Sequence, residues 1–287
     1  MLLLLALLQQ IDSTVPVGRG QRLEVNAFAG EVTVSVWNRD AVRVQAETEG
    51  STGVEIDRNA TTVSVRTSGR RGPPSDVDLR ITAPAWMPLD LSGVNTEMTV
   101  TGTRAAISAE TVQGDVTATG GEGLVSLRSV QGSVSLTGAK GRLEVHSVNA
   151  DVELIRSAGE VTAETVNGDV TLDQVDATSV TATSLNGDVS YNGPIQSTGR
   201  YALSTHNGDV TVTVAEGTSA SVSVSTFNGE FASAFPVTLT ETRKGKRFNF
   251  TVGGGAAQVT LESFQGTIEL VRPGQFRGAR GNEDEEE

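Results

Sequence analysis

The sequence predicts an all-β protein folded as a parallel β-solenoid, a β-helix-like stack in which each coil takes 18–21 residues. Three observations carry this prediction: a composition with 4% aromatic residues and 32 Gly, a short motif that returns at nearly constant steps, and apolar residues that alternate on both sides of each motif. The composition favours repetitive β-structure, and the constant step indicates one structural unit per repeat.

Cysteine content and charge exclude several function classes. The chain of 287 residues has no Cys, so disulfides, thiol catalysis and cysteine-ligated metal sites are excluded. The net charge is −13, and five of these units lie in residues 283–287. This acidic balance argues against a nucleic-acid partner.

The repeat is clearest where the chain reads Glu-Thr-Val-Gln-Gly-Asp-Val around Gly114 and Glu-Thr-Val-Asn-Gly-Asp-Val around Gly168. From Thr96 to Gly229 the steps between motif centres are 18, 18, 18, 18, 19, 21 and 21 residues. Such a step predicts coils that stack on their neighbours. The other centres are Gly30, Gly132, Ala150, Gly187, Gly208 and Gly266.

Each unit carries the same apolar template. Alternating apolar pairs seven and five residues before the centre, and two and four after it, predict two short strands with these side chains inward. The residue three before the centre is a small hydroxyl, as in Thr165, and the residue two before it is apolar, as in Val166. We expect the chain to turn here so that the apolar corner residue also points inward, with His206 packed at one such position.

The alternative is an antiparallel β meander or barrel, because Asn-Gly between alternating segments is typical of a hairpin. In a hairpin, however, nearly every copy would expose the apolar residue two before the Gly. We therefore favour the parallel solenoid, in which the Gly supplies a left-handed backbone conformation at the corner.

Equivalent residues of stacked coils lie about 4.8 Å apart, so the corners predict ladders of like side chains. Asn and Gln side chains hydrogen-bond along such a stack, and the Asp after each Gly accepts backbone N–H groups. We interpret this turn ladder as structural. Its clearest members are Asn167, Gly168, Asp169, Asn186, Gly187, Asp188, Asn207, Gly208 and Asp209.

The runs Leu79-Arg-Ile-Thr-Ala-Pro and Val94-Asn-Thr-Glu-Met-Thr-Val, followed by the Asn-Gly-Asp-Val units, resemble the bacterial putative-adhesin family with β-strand repeats. This domain of unknown function occurs in exported and envelope-associated proteins. The resemblance covers roughly residues 23–271. It implies a β-helix-like solenoid at the cell envelope and no catalytic residues, while Thr96, Ser133 and Ala150 depart from the motif.

The row of Asp residues has two functional interpretations besides the structural one. It could form a calcium site, or it could supply the paired carboxylates of a glycan-cleaving enzyme. However, the Gly-Gly-x-Gly-x-Asp repeat of calcium-binding β-rolls is absent, and Ser133 interrupts the row. No acid, base and Arg cluster breaks the period as a grafted active site would. We therefore expect no catalytic residue, no metal and no cofactor.

The domain organisation follows from the repeat and its ends. Residues 1–10 begin with a leucine run that resembles the apolar region of a secretory signal peptide, so we interpret them as its remnant and expect export. Residues 11–275 form a single β-solenoid domain in this interpretation, with period-breaking segments 66–88 and 234–257, and residues 276–287 form a disordered acidic tail. The second segment carries a basic candidate surface contact, formed by Arg243, Lys244, Lys246 and Arg247.

These inferences point to a non-enzymatic, exported solenoid in the periplasm or at the cell surface, which acts as a cell-envelope scaffold or an adhesin-like surface-interaction module. We expect its partner to be an envelope polymer, a glycan or another envelope protein, with no nucleic acid and no transmembrane segment. A polysaccharide-processing β-helix enzyme and a regulatory binding module are the alternatives from other classes.

Overall fold

The computed structural model describes residues 9–48, 52–69, 76–237, 240–241 and 246–276, and their regular structure consists of 25 strands. The chain divides into two compact units, Met1–Val134 and Ser135–Glu287. The first contains β1 (Gln9–Pro16), β2 (Arg22–Trp37), β3 (Ala41–Thr48), β4 (Thr52–Arg58), β5 (Thr62–Gly69), β6 (Val77–Pro84), β7 (Leu89–Thr103), β8 (Ile107–Thr111), β9 (Val116–Gly120) and β10 (Glu122–Ser129).

After β11 (Val134–Thr137), which begins at the unit boundary, the second unit contains the remaining strands. They are β12 (Lys140–His146), β13 (Val152–Ile155), β14 (Ala158–Asn167), β15 (Val170–Asp173), β16 (Asp176–Asn186), β17 (Val189–Asn192), β18 (Arg200–Asn207), β19 (Val210–Thr213), β20 (Ala220–Thr226), β21 (Phe231–Ser233), β22 (Thr240–Glu241), β23 (Lys246–Val252), β24 (Ala257–Gln265) and β25 (Ile268–Val271).

The first unit is built around the long strand β2. Its first half pairs in parallel with β5 and with β7, and its second half pairs in parallel with β6 and with β7. Strand β7 then pairs in parallel with β8 and β9, and β8 with β10. Antiparallel pairs complete the unit, namely β1 with β3, β3 with β6 and β4 with β5.

The second unit is a stack of parallel coils whose order in space differs from their order in the chain. Strands β12, β14, β16 and β18 pair successively, as do β13, β15, β17 and β19. Strand β24 then pairs with both β18 and β20, and β25 pairs with both β19 and β21. The coil that comes last in the sequence therefore lies between two earlier coils, and β23 pairs antiparallel with β20.

The predicted parallel β-solenoid is confirmed by the register of these strands. Val170 lies between Val152 and Val189, and Val189 lies beside Val210, so equivalent motif positions stack from coil to coil. The antiparallel pairs involve strands outside this repeating stack. An antiparallel meander of the repeats is therefore wrong.

The core is the interior between the strands of each coil. The side chains two and four residues after the centres are buried, as Val170 and Leu172 are, except after Gly229, where Phe231 and Ser233 are half-buried. Those seven and five residues before each centre are buried as well. Tyr191 is the largest fully buried side chain, and its hydroxyl lies 3.0 Å from the carbonyl oxygens of Val175 and Pro194. Burial raises the pKa of Tyr191, so the phenol stays protonated.

The prediction that the apolar corner residues point inward is wrong. They are between 37% and 62% exposed, and His206 is exposed with them. The hydroxyl one residue earlier is the inward group, because Thr165, Ser184 and their equivalents are buried. Both of these hydroxyls donate hydrogen bonds to carbonyl oxygens of the neighbouring coil. Successive side chains of an extended chain point to opposite sides, so the apolar residue that follows points outward.

The two segments that interrupt the period contain strands. Residues 77–84 form β6, and in the other segment β22 and β23 pair with one another. Trp86, next to β6, donates a hydrogen bond from its indole to Asp40, and the Arg19 guanidinium lies 5.1 Å from the centre of its ring. Residues 1–8 and 277–287, which carry the predicted signal-peptide remnant and most of the acidic tail, lie outside the described residues.

Candidate functional site

The side-chain amides at the corners form a hydrogen-bonded ladder. In the second unit, the Asn167 amide donates to the Asn149 carbonyl oxygen at 2.9 Å, Asn186 to Asn167 at 2.9 Å and Asn207 to Asn186 at 2.7 Å. In the first unit, Gln113 donates to Gln131 at 3.1 Å. In the second unit the side-chain oxygens of Asn149, Asn167 and Asn186 thus each accept from the equivalent amide of the next coil.

The Asp residues of the ladder bind backbone rather than one another. The Oδ1 atom of Asp169 accepts the N–H of Asp188, and that of Asp188 accepts the N–H of Asp209, both at 2.8 Å. Burial is the main cause that raises the pKa of Asp169, and the neighbouring carboxylates of Asp188 and Asp151 add to the increase. Among the described residues, no group of three or more His, Asp or Glu side chains could hold a metal ion.

The glycines of the ladder allow the coils to approach closely. A Cβ atom on Gly187 would lie 2.0 Å from the carbonyl oxygen of Gly168, and one on Gly208 would lie 2.2 Å from that of Gly187. Both glycines also have φ near +150°. The corner therefore needs residues without side chains at these two positions.

The basic candidate contact is only partly described. Arg243 and Lys244 lie outside the described residues, and Lys246 contributes backbone that pairs with Thr226. Arg247 is exposed, and its position on β23 is opposite Ser225. The two imidazoles lie at different positions of the repeat. His146 Nδ1 lies 3.3 Å from a carboxylate oxygen of Glu164, whereas His206 lies at an exposed corner.

The exposed apolar corner residues, which we call the corner row, were not recognised as a surface from the sequence. The available signal is an apolar residue at one phase of every repeat except the one with His206, a pattern that hydrophobicity alone assigns to the core. The row lies next to the amide ladder in both units. In the first unit it comprises Phe28, Val94, Val112 and Val130, and in the second unit Val148, Val166, Leu185, His206, Phe264 and Phe227.

The second unit ends this row with three stacked rings. The rings of His206 and Phe264 are 4.5 Å apart at their centres and inclined by 8°, and those of Phe264 and Phe227 are 4.9 Å apart and inclined by 3°. The spatial order follows from the insertion of β24 between β18 and β20. Phe227 is the most exposed large apolar side chain of the described residues, at 62%.

A groove of about 510 Å³ runs beside these rings. One wall is the corner row from Leu185 to Phe227, and the floor is formed at the neighbouring buried hydroxyl residues. The opposite wall, which we call the polar row, lies across five paired strands. It comprises Thr183, Ser204, Glu262, Ser225 and Arg247.

Several solved structures are similar to this chain. A putative adhesin from Bacteroides fragilis has 13% identity and a TM-score of 0.39, with 92% of this chain and 97% of that chain covered. A putative cell adhesion protein from Clostridium sporogenes has 9% identity and a TM-score of 0.23, with 92% and 99% covered. A putative lipid binding protein from Parabacteroides distasonis has 9% identity and a TM-score of 0.47, with 91% and 96% covered.

No curated protein matches the chain. None of the names of the three similar structures describes an enzyme. None of the described residues forms a helix long and apolar enough to cross a membrane. The family model described as Toastrack DUF4097 matches residues 20–271. The chain therefore belongs to the Toastrack DUF4097 family.

Proposed function

We propose that this protein is a non-enzymatic, exported surface-interaction module of the cell envelope, and that the corner row is its contact surface. The observation that carries the proposal is the exposure of an apolar side chain at the same corner of successive coils. A single exposed apolar residue is ordinary, whereas a contiguous exposed apolar surface is typical of an interaction site.

Within each coil, we assign a structural role to the turn ladder and a binding role to the corner row. The amides, carboxylates and glycines of the ladder hydrogen-bond or contact the neighbouring coil, so we propose that their role is structural. The side chains of the corner row point away from the interior, and the apolar ones are 37% to 62% exposed. Substitutions in the row are therefore expected to change binding more than folding.

The proposal is tested by locating the protein and by measuring its binding to isolated envelopes. We expect the protein in the periplasmic or surface fraction of the cells that produce it, and we expect it to sediment with envelope fragments. A variant with Val148→Thr, Val166→Thr and Leu185→Ser should lose at least about tenfold in apparent affinity, since each change removes buried apolar contact from the bound state.

The matched control carries exposed polar changes on the same stack, Thr181→Ser and Glu164→Gln. It should bind as the unchanged protein does. A cytoplasmic location, or envelope binding that does not respond to the corner-row variant, would contradict the proposal.

A further inference from the structure

We propose that the groove between the corner row and the polar row of the second unit binds a neutral polysaccharide chain that lies along the stack of coils. The inference rests on the proposed function, and it names the ligand class of one part of the surface. Three features of the groove carry it: an exposed aromatic ring at one end, hydroxyls and charges of both signs along one wall, and a spacing set by the coils.

The aromatic feature is Phe227. Phe264 lies between two rings and has both faces covered, whereas Phe227 stacks on one ring and keeps 62% of its surface exposed. An exposed aromatic ring provides a flat apolar surface. The C–H side of a pyranose ring is also flat and apolar, so it fits this ring while its hydroxyls stay at the edges.

The polar row supplies partners for those hydroxyls. Glu262 lies in register between Ser204 and Ser225, and Arg247 follows on the next strand. A carboxylate accepts hydrogen bonds and a guanidinium donates them, and both are stronger partners than neutral groups. A sugar hydroxyl can do either, so one chain of hydroxyls can satisfy both side chains.

Among the described residues, Arg247 has no partner that a ligand would have to displace. It is exposed, no hydrogen bond or ion pair holds its guanidinium in the described part of the chain, and it lines the groove with Phe227. Glu262 lies on the same wall. An acyl chain would bury these two charges without partners, at a high cost. The polar wall therefore fits a hydroxyl-rich ligand.

Charge favours a neutral chain over an acidic one. The two charged side chains of the groove, Glu262 and Arg247, cancel formally, and the whole protein carries −13. An acidic polymer would be repelled by this net charge, and repulsion would increase at low salt. The polar row repeats at the coil spacing of about 4.8 Å, so a chain that lies along the stack meets one polar side chain per coil.

The test is an array of neutral and acidic glycans probed with the full chain. We expect binding to neutral chains, weakened at least about tenfold by Phe227→Ala, and weakened also by Arg247→Gln and by Glu262→Gln. The matched controls are Phe28→Ala and Val166→Ala, which remove corner-row side chains outside the groove. Arg247→Gln and Glu262→Gln should leave the melting temperature unchanged, because both side chains are exposed. Phe227→Ala, Phe28→Ala and Val166→Ala should lower it only slightly, because each removes a partly exposed side chain, and Phe227→Ala also removes one ring contact with Phe264.

Three results would overturn the inference: no binding to any neutral glycan, stronger binding to acidic than to neutral chains, or neutral-chain binding that Phe227→Ala leaves intact. A blank array together with envelope binding that depends on the corner row would remove the inference and leave the proposed function standing. Neutral-glycan binding by a protein found in the cytoplasm would contradict the proposed function and leave the glycan-binding inference standing.

Discussion

The Oγ1 atom of Thr205 donates a hydrogen bond of 2.8 Å to the carbonyl oxygen of Gly187, at the corner of the neighbouring coil. The equivalent bonds join Ser184 to Gly168 at 2.8 Å and Ser263 to Gly208 at 2.9 Å. The hydroxyl residue points inward to make this bond, and the following residue of the extended chain points outward. The same backbone conformation at the corner therefore places the hydrogen-bonded hydroxyl inside and the apolar side chain of the next residue outside.

Removing this hydroxyl should destabilise the protein without changing its shape. Thr205→Val keeps the branched side chain but leaves the Gly187 carbonyl oxygen without its donor, at a cost of about 1–3 kcal/mol. The control Thr181→Val changes an exposed Thr on the neighbouring coil and should cost less than about 0.5 kcal/mol. Urea unfolding measures both, and equal effects would show that the corner bond contributes nothing.

Adding a methyl group at the corner should also destabilise the stack. In Gly187→Ala the new Cβ meets the Gly168 carbonyl oxygen, and the residue keeps a φ that side chains disfavour, so we expect a loss of about 2 kcal/mol or more. Gly18→Ala is the control, because nothing lies within 4 Å of its Cβ position. Calorimetric melting temperatures compare the two, and a tolerated Gly187→Ala would contradict the close approach of the coils.

The stacked carboxylates predict an unusual pH dependence at Asp169. Because its pKa is raised in the folded protein, the folded state holds the proton more tightly than the unfolded state does. The contribution of Asp169 to stability therefore falls as the pH rises from below its unfolded value through its folded value. Asp169→Asn keeps an oxygen acceptor for Asp188 and removes the charge, so it should gain stability relative to the unchanged protein as the pH rises.

Asp169→Ala is the matched comparison, because it removes both the charge and the acceptor of the Asp188 N–H. At neutral pH we expect it to be about 1 kcal/mol less stable than Asp169→Asn. Denaturant unfolding of the three proteins from acidic to neutral pH tests both statements. A stability difference between Asp169→Asn and the unchanged protein that does not vary with pH would refute the raised pKa.

The interior should depend on alternate residues of the strands. Leu127 is fully buried in β10, and its neighbour Arg128 is exposed. Leu127→Ala should cost about 2–5 kcal/mol through lost burial and a cavity, whereas Arg128→Ala should stay within about 0.5 kcal/mol. Guanidinium unfolding of the two variants checks the assignment of the inward face, and similar losses would mean that the face is misassigned.

The parallel solenoid and its inward strand pairs could be predicted from the sequence because they are repeated. Any single copy of the motif is compatible with a hairpin, but Val170 recurs at the same phase in successive coils, and only a stacked register explains the recurrence. The direction of Val166 could not be predicted in this way. Hydrophobicity alone predicts it inside, whereas Thr165 is the buried residue and donates a hydrogen bond to the Ala150 carbonyl oxygen, so Val166 faces outward.

By itself, the sequence determined the length of each coil and which strand residues face the interior, since both follow from local alternation repeated at a constant step. Only the tertiary structure decided which coils are neighbours. Glu262 lies beside Ser204, 58 residues earlier, because β24 enters between β18 and β20, and this pairing also stacks Phe264 on His206. The pairing of distant strands depends on how all the coils of the unit pack together. No local sequence pattern could therefore predict that Phe227, Glu262 and Arg247 line one groove.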